Sequence, residues 1–203
     1  MLTTKQLQEI SDWRSSWTTT SGRKLSIKGC KSEEEVISLA IDKAHAPSVL
    51  RALKTGGKST KLPRAKAKAL LRKEISKVLH TSMSQSQFDD WNEKLCTEIR
   101  NIYQNAGISD YAFGHAQKLV NMAVKYILSA DIIDPNLELF GVAHIPVDRI
   151  IMKVAKRKLD VSPLSTSWSS TDDYKEFLKY QSRLRIALQS DDDFPLFWEI
   201  KNW

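Results

Sequence analysis

The chain has 203 residues, which is long enough for one or two average domains and for a sizeable hydrophobic core. It contains no apolar run of about 18 residues, and its first residues lack the apolar stretch of a secretory signal, so neither a membrane span nor export is expected. The net charge of +7 favours a polyanionic partner, nucleic acid above all. Cys30 and Cys96 match no metal-ligand spacing, so we expect reduced structural thiols and a cytoplasmic location.

Helical periodicity accounts for most of the chain, whereas alternating strand patterns are few and internal repeats are absent. We therefore predict an all-α fold, a compact helical bundle of two lobes that forms a single domain over residues 1–203. In chain order, the predicted helices cover about 3–17, 33–45, 64–80, 84–104, a helix opened by Lys118, a helix opened by Asp148, and 172–189. The candidate N-caps are Thr3 or Thr4, Ser32, Ser84 or Ser86, and Ser170 or Thr171.

The sequence contains two clusters of basic residues. The loop 55–63 lies within the first cluster; its Gly56 and Gly57 allow sharp turns, and Pro63 suits the first turn of the next helix. Contact with a DNA backbone is the favoured interpretation of the clusters, and a solvated helix face is the alternative. The first cluster consists of Lys54, Lys58, Lys61, Arg64, Lys66, Lys68, Arg72 and Lys73, and the second of Lys153, Lys156, Arg157 and Lys158.

The most informative stretch of the chain runs from Gly107 to Lys158. A turn with glycine at 107 and 114 leads into a strongly apolar helix at Lys118, and a second helix follows Ile-Pro-Val-Asp at Asp148. Free N–H groups at a helix start bind phosphate, and glycine lets a DNA backbone approach, so the turn has the properties of a helix-hairpin-helix element. An amine and a carboxylate at two helix starts suit Schiff-base or carboxylate-assisted chemistry at an electron-poor carbon.

The run AQKLVNMAVKY, followed 30 residues after Lys118 by the aspartate of HIPVD, resembles the helix-hairpin-helix DNA glycosylases. Within that superfamily it looks most like the archaeal GO branch, which excises 8-oxoguanine. The resemblance covers residues 107–158, which would form a catalytic hairpin-helix unit. It implies catalytic roles for Lys118 and Asp148.

The resemblance further implies a DNA N-glycosylase that flips a modified base out of double-stranded DNA and cleaves its glycosidic bond, with or without AP lyase activity. Asp148 would stabilise positive charge on the sugar carbon C1′, and Lys118 would attack that carbon. The substrate would be 8-oxoguanine-like, for DNA repair, or a hypermodified base of phage DNA, for antiviral defence. Further candidates for contact with DNA or the base are Gly107, Gly114, His115, Gln117, His144, Arg149 and Trp168.

Simpler interpretations stand beside these roles. Lys118 is also explained as a surface lysine, Asp148 as an N-cap, and His115 and His144 as polar loop residues. Lys125 is explained as a neighbour of Lys118 or as an ordinary solvated residue. The whole chain is alternatively a non-catalytic helical DNA-binding module or a protein-interaction domain. No metal, nucleotide or flavin motif is visible, so we expect no metal and no cofactor, and the expected state is a monomer that binds DNA and no membrane.

Overall fold

The computed structural model describes residues 2–17, 29–45, 53, 55–189 and 193–202. All regular structure within these residues is helical, which confirms the all-α prediction. The helices are α1 (Thr4–Trp17), α2 (Glu33–Ala44), α3 (Lys61–Val78), α4 (Gln85–Asn105), α5 (Phe113–Ser129), α6 (Leu139–Val142), α7 (Arg149–Leu159), α8 (Tyr174–Leu188) and α9 (Pro195–Asn202).

Helix α5 is the centre of the bundle, and every one of its residues is buried. Its polar side chains, among them Lys118, Asn121 and Lys125, are buried together with its apolar ones, so other elements enclose the helix on all sides. Helix α3 packs against both α2 and α4, and both α2 and α4 pack on α5. The later helices form a second group, in which α9 contacts α6 and α8, and α7 contacts α8. This arrangement agrees with the predicted two-lobed bundle.

Two of the predicted helix starts are confirmed in atomic detail. Ser32 Oγ accepts the backbone N–H of Glu35 at 3.3 Å at the start of α2. Ser84 and Gln87 form a reciprocal capping box at the start of α4, with distances of 3.2 and 2.7 Å. These caps satisfy backbone donors that a helix start otherwise leaves without partners.

Other boundaries differ from the predictions. Helix α3 begins at Lys61, ahead of Pro63, which lies in its first turn as expected. The cap of α8 is Asp173 and not Ser170 or Thr171, because the Asp173 carboxylate accepts a first-turn N–H at 2.8 Å. The last ten residues were predicted only as a short terminal segment, yet they include the helix α9, whose apolar side chains are buried.

The basic residues of α3 divide between packing and exposure. Lys68 forms an ion pair with Asp42 of α2, and Arg72 donates to Ser38 Oγ at 2.8 Å, so both cations help to hold α3 against α2. Lys54, a member of the same cluster, lies outside the described residues.

Cys30 and Cys96 are free thiols, as predicted. In the part of the chain that the structure covers, no helix is long and apolar enough to cross a membrane.

Three of the four histidines, His45, His115 and His144, are buried. Burial lowers the pKa of each imidazole, because the charged form loses its hydration. At His45 burial lowers the pKa to about 4. His45 ends α2, and its Nδ1 lies 3.1 Å from the carbonyl oxygen of Ile41.

We expect the free energy of unfolding to fall as the pH drops from about 7 to about 5. A histidine whose pKa is lower in the folded state stabilises the fold above its unfolded pKa of about 6.5, and this contribution is lost as the pH falls towards the folded value. For His45 the loss over that range amounts to about 2 kcal/mol. Urea unfolding at several pH values tests this: His45→Gln should have a shallower pH dependence than the wild type, and identical slopes would contradict the prediction.

Candidate active site

Lys118 and Asp148 are 30 residues apart in the sequence and in direct contact in the fold. Lys118 Nζ donates to Asp148 Oδ2 at 2.7 Å and lies 3.5 Å from the carbonyl oxygen of Pro146. The side chain of Lys118 is 10% exposed and that of Asp148 is 16% exposed. The pair is therefore shielded from bulk water while still open to solvent on one side. The surface-lysine interpretation of Lys118 is wrong, since the residue is buried.

The carboxylate of Asp148 is oriented by the start of α7. Asp148 is the N-cap of this helix, and its Oδ1 accepts the N–H groups of Ile150 and Ile151, each at 2.8 Å. Its other oxygen, Oδ2, is left for the ammonium of Lys118. The predicted N-cap role is confirmed, and it fixes the direction of the carboxylate that the catalytic role would require.

The helix that carries Lys118 begins earlier than predicted. It begins at Phe113, so Lys118 lies in its second turn and not at its start. The first-turn donors already have acceptors within the chain: Phe113 N–H donates to Asp172 Oδ1 at 2.9 Å, and Gly114 N–H donates to the Thr171 carbonyl at 2.8 Å. The expectation that free N–H groups at this helix start bind a DNA phosphate is therefore wrong for these two positions.

Gly107 and Gly114 both permit close approaches, but the approaching groups belong to the protein. Gly107 has a φ of +79°, and a Cβ there would overlap the ammonium of Lys58. A Cβ at Gly114 would overlap the carbonyl oxygen of Trp168. At Gly114 the predicted approach of DNA is wrong, because the backbone of 168–169 fills that space. At Gly107 the approach of Lys58 places a cation on the turn between α4 and α5.

His115 and Trp168 support the same turn. His115 is 3% exposed, and its Nδ1 accepts the N–H of Ala112 at 3.3 Å. Its ring meets the half-buried Trp168 edge-on, with a centroid distance of 5.8 Å. The polar-surface interpretation of His115 is wrong, and both side chains contribute to holding the hairpin against the segment ahead of α8.

Two buried glutamine side chains hold the segment that leads to Asp148. Gln117 Nε2 donates to the Val147 carbonyl at 2.8 Å, and its Oε1 accepts the Val147 N–H at 3.1 Å. Gln181 of α8 makes the same pair of bonds with Ile145, at 2.9 and 3.3 Å. Each amide thus replaces the partner that a β-strand would offer, and together they fix the backbone on which Asp148 follows.

The predicted contact of Gln117 with a base edge is not what the structure shows. Its amide nitrogen also donates to the Gly114 carbonyl at 3.0 Å, so both of its hydrogens are used within the protein. A chain of amides continues behind it, in which Asn92 of α4 donates to Asn121 at 2.8 Å and Asn121 donates to Gln117 at 3.4 Å. Gln117 is therefore a positioning residue for the Asp148 segment.

The structure assigns His144 to the core, away from any DNA-facing surface. Its Nε2 lies 2.7 Å from Asp89 Oδ1, and Arg185 donates to the same oxygen at 3.1 Å. Burial lowers the pKa of His144, and the hydrogen bond to Asp89 opposes that effect. Burial alone would raise the pKa of Asp89, but His144 and Arg185 bring it below its ordinary value. Both sequence interpretations of His144, as a phosphate or base contact and as a polar loop residue, are wrong.

Lys125 is also buried and forms a second ion pair on α5. The side chain is 1% exposed, and its Nζ lies 2.8 and 2.7 Å from the two carboxylate oxygens of Glu199 on α9. Burial lowers the pKa of Lys125, and Glu199 opposes that effect. The prediction that Lys125 is solvated is wrong, because its partner lies 74 residues later in the chain. This pair fastens α9 to the helix that carries Lys118.

Arg149 is the first residue of α7 and is exposed. One face of α7 is buried through Ile151, Met152 and Ala155, whereas the opposite face carries the second basic cluster into solvent. The predicted contact of Arg149 with phosphate remains a prediction. Among the described residues, no group of three or more His, Cys, Asp or Glu side chains is placed to hold a metal ion.

No family model, no curated protein and no solved structure matches this chain. The likeness of residues 107–158 to the helix-hairpin-helix glycosylases therefore rests on the motif residues themselves.

We expect Gln117→Leu to lower the free energy of unfolding by about 1–3 kcal/mol, because the N–H and carbonyl of Val147 would be buried without partners. The measurement is urea unfolding near neutral pH, with Gln8→Leu on the exposed face of α1 as the matched control. A surface glutamine change should stay within about 0.5 kcal/mol. Equal effects of the two substitutions would show that the Gln117 bonds do not hold the segment.

Proposed function

We propose that the chain is a DNA N-glycosylase that removes a modified base from double-stranded DNA. The observation that carries the proposal is the contact of Lys118 with Asp148 at 2.7 Å, in a shielded position that is open to solvent on one side. These are the two residues to which the family resemblance gives catalytic roles. An exposed ion pair contributes little to the stability of a fold. This shielded pair holds an amine and an oriented carboxylate side by side, and these are the groups that glycosidic cleavage needs.

The oriented carboxylate suits a reaction that builds positive charge on carbon. Cleavage of the N-glycosidic bond leaves the sugar C1′ electron-poor, and a fixed anion close to C1′ stabilises the transition state. Asp148 is fixed by two backbone N–H groups, so little reorganisation is required of it during the reaction. In release of the base by water Asp148 keeps this role throughout, whereas in release by an amine it also carries a proton from Lys118 to the base.

The amine gives the reaction a nucleophile. Lys118 Nζ passes one proton to Asp148 Oδ2, and its free electron pair forms a bond to C1′. The C1′–N bond breaks, its electrons leave on the base, and the base takes the proton from Asp148. A second proton moves from Nζ to O4′ as the sugar ring opens, which leaves a protonated Schiff base on Lys118. Asp148 is then again an anion beside a positive nitrogen.

The basic residues of the chain suit a double-stranded DNA partner. The net charge is +7, the outward face of α7 starts directly after Asp148, and Lys58 lies over the α4–α5 turn. Phosphate neutralisation by such cations makes affinity fall with salt. The base must leave the helical stack to reach a shielded pair, so we propose base flipping as part of the reaction.

The proposed substrate is an 8-oxoguanine-like base or a hypermodified base of phage DNA, and the corresponding roles are DNA repair and antiviral defence. We propose that the protein acts as a monomer in the cytoplasm and that the side chains of Lys118 and Asp148 supply the chemistry. A non-catalytic DNA-binding module is the second candidate. The N-cap geometry of Asp148 favours that candidate, because the cap alone gives a structural reason for an aspartate at this position.

Excision of the base tests the proposal with two conservative variants. The substrates are duplexes that each carry one modified base, with 8-oxoguanine and phage-type modified cytosines included, and abasic sites are revealed by alkali. Asp148→Asn keeps an oxygen that caps α7, and Lys118→Gln keeps a polar side chain, so both should remain folded. Each is expected to lower the single-turnover rate about 100-fold or more.

Lys5→Gln, at an exposed lysine of α1, is the matched control and should retain the full rate. Full activity in both site variants would overturn the assigned roles. Salt-dependent binding by the wild type without base removal on any duplex would establish the DNA-binding module instead. The folded state of each variant is checked by its thermal unfolding.

A further inference from the structure

The residue that follows Arg149 is an exposed isoleucine at the edge of the candidate site. Ile150 is 52% exposed, and its backbone N–H donates to Asp148 Oδ1 at 2.8 Å. Single exposed apolar residues are common on protein surfaces, so exposure alone does not indicate a function. The position of Ile150 does indicate a function, because its backbone N–H is hydrogen-bonded directly to the proposed catalytic carboxylate of Asp148.

Ile150 lies on the same face of α7 as two cations. Lys153 and Arg157 follow it at i+3 and i+7, which places the three on one face of the helix, and both cations are exposed. Helix α7 contains no Asp or Glu between Arg149 and Leu159. The stripe from Ile150 to Arg157 is about 10 Å long, which corresponds to about three steps of a DNA strand. The charge of this face is complementary to a phosphate backbone.

The other exposed large apolar residues of the described chain have different surroundings. Leu62 is 64% exposed at the start of α3, Ile132 is 47% exposed in a loop with two aspartates, and Ile186 is 71% exposed on α8. None of these has a hydrogen bond to Asp148 or Lys118. Ile150 alone among them combines an apolar side chain, flanking cations and contact with the candidate site.

We propose that the outward face of α7 docks on duplex DNA and that Ile150 enters the base stack, where it fills the gap left by the flipped base. The inference rests on the proposed function and adds the residue that opens the duplex. Apolar side chains that enter between base steps unstack them, and the unstacking cost is recovered through additional contacts. Arg149 and Lys153 would hold phosphates on either side, while Asp148 faces the extruded sugar.

Two substrates separate this role from catalysis. Ile150→Ala should lower the single-turnover rate on a modified duplex about 10-fold, because the stacked base is no longer displaced. On the same modified strand without its complement, the rate should stay within about twofold, because no stacked pair has to be opened. Ile186→Ala, an equal truncation at an exposed position of α8, should match the wild type on both. An equal loss on both substrates, or no loss on the duplex, would overturn the proposal.

A binding measurement judges the proposal even if no base is excised. The wild type should bind a duplex with a tetrahydrofuran abasic analogue more tightly than an intact duplex of the same sequence. Ile150→Ala should lose that preference while keeping its affinity for the intact duplex, whereas Lys153→Gln should weaken both duplexes and reduce the salt dependence. An unchanged preference in Ile150→Ala would refute insertion into the gap. Excision that fails while this preference holds would refute the glycosylase proposal alone.

Discussion

The hydrogen bonds of Gln117 and Gln181 to the Ile145–Val147 segment are the constraint on which the candidate site depends. An extended segment in a helical core exposes backbone donors and acceptors that need partners, and the described chain offers no strand to pair with them. The two amides take the place of a neighbouring strand. Because they come from α5 and α8, the segment is fixed to both groups of helices, and Asp148 emerges beside Lys118.

Electrostatics explains why the same helix carries two ion pairs of different character. The Lys125–Glu199 pair is fully enclosed, so its charges compensate each other and its role is to join α9 to α5. The Lys118–Asp148 pair is partly open, and one oxygen of Asp148 is committed to the cap of α7. The first pair is enclosed on all sides, whereas the second remains partly exposed to solvent. This difference is the physical basis for assigning chemistry to the second pair.

Local signals made much of the fold predictable. Ser32 and Ser84 are N-caps that can be recognised from the sequence, and their side chains make the expected hydrogen bonds. The apolar periodicity of α4 and α5 favours a helix over a strand. The start of α5 was missed because Ala112 has no capping side chain, and the N–H of Phe113 is satisfied by Asp172, 59 residues later. A helix start whose first N–H group is bonded to a residue far along the chain cannot be predicted from the sequence around it.

The candidate site was predictable only in its two charged residues. Lys118 and Asp148 were found because the motif carries them, but their contact depends on tertiary packing. Gln181 was missed, and Gln117 was given a different role, because nothing local distinguishes an amide that pairs with backbone from a solvated one. Polar residues within apolar helical faces, such as Asn92 between Phe88 and Leu95, were the one available signal of the buried network.

The identity of the nucleophile is the most direct test of the central claim, that the shielded Lys118–Asp148 pair acts on the sugar carbon. The wild-type protein is incubated with a duplex from which it removes the base, in the presence of borohydride, and the adduct is located by peptide mass spectrometry. The account predicts a sugar-derived mass on Lys118, formed by reduction of its Schiff base. An adduct on Lys125 or on another lysine, or base removal without any adduct, would contradict it.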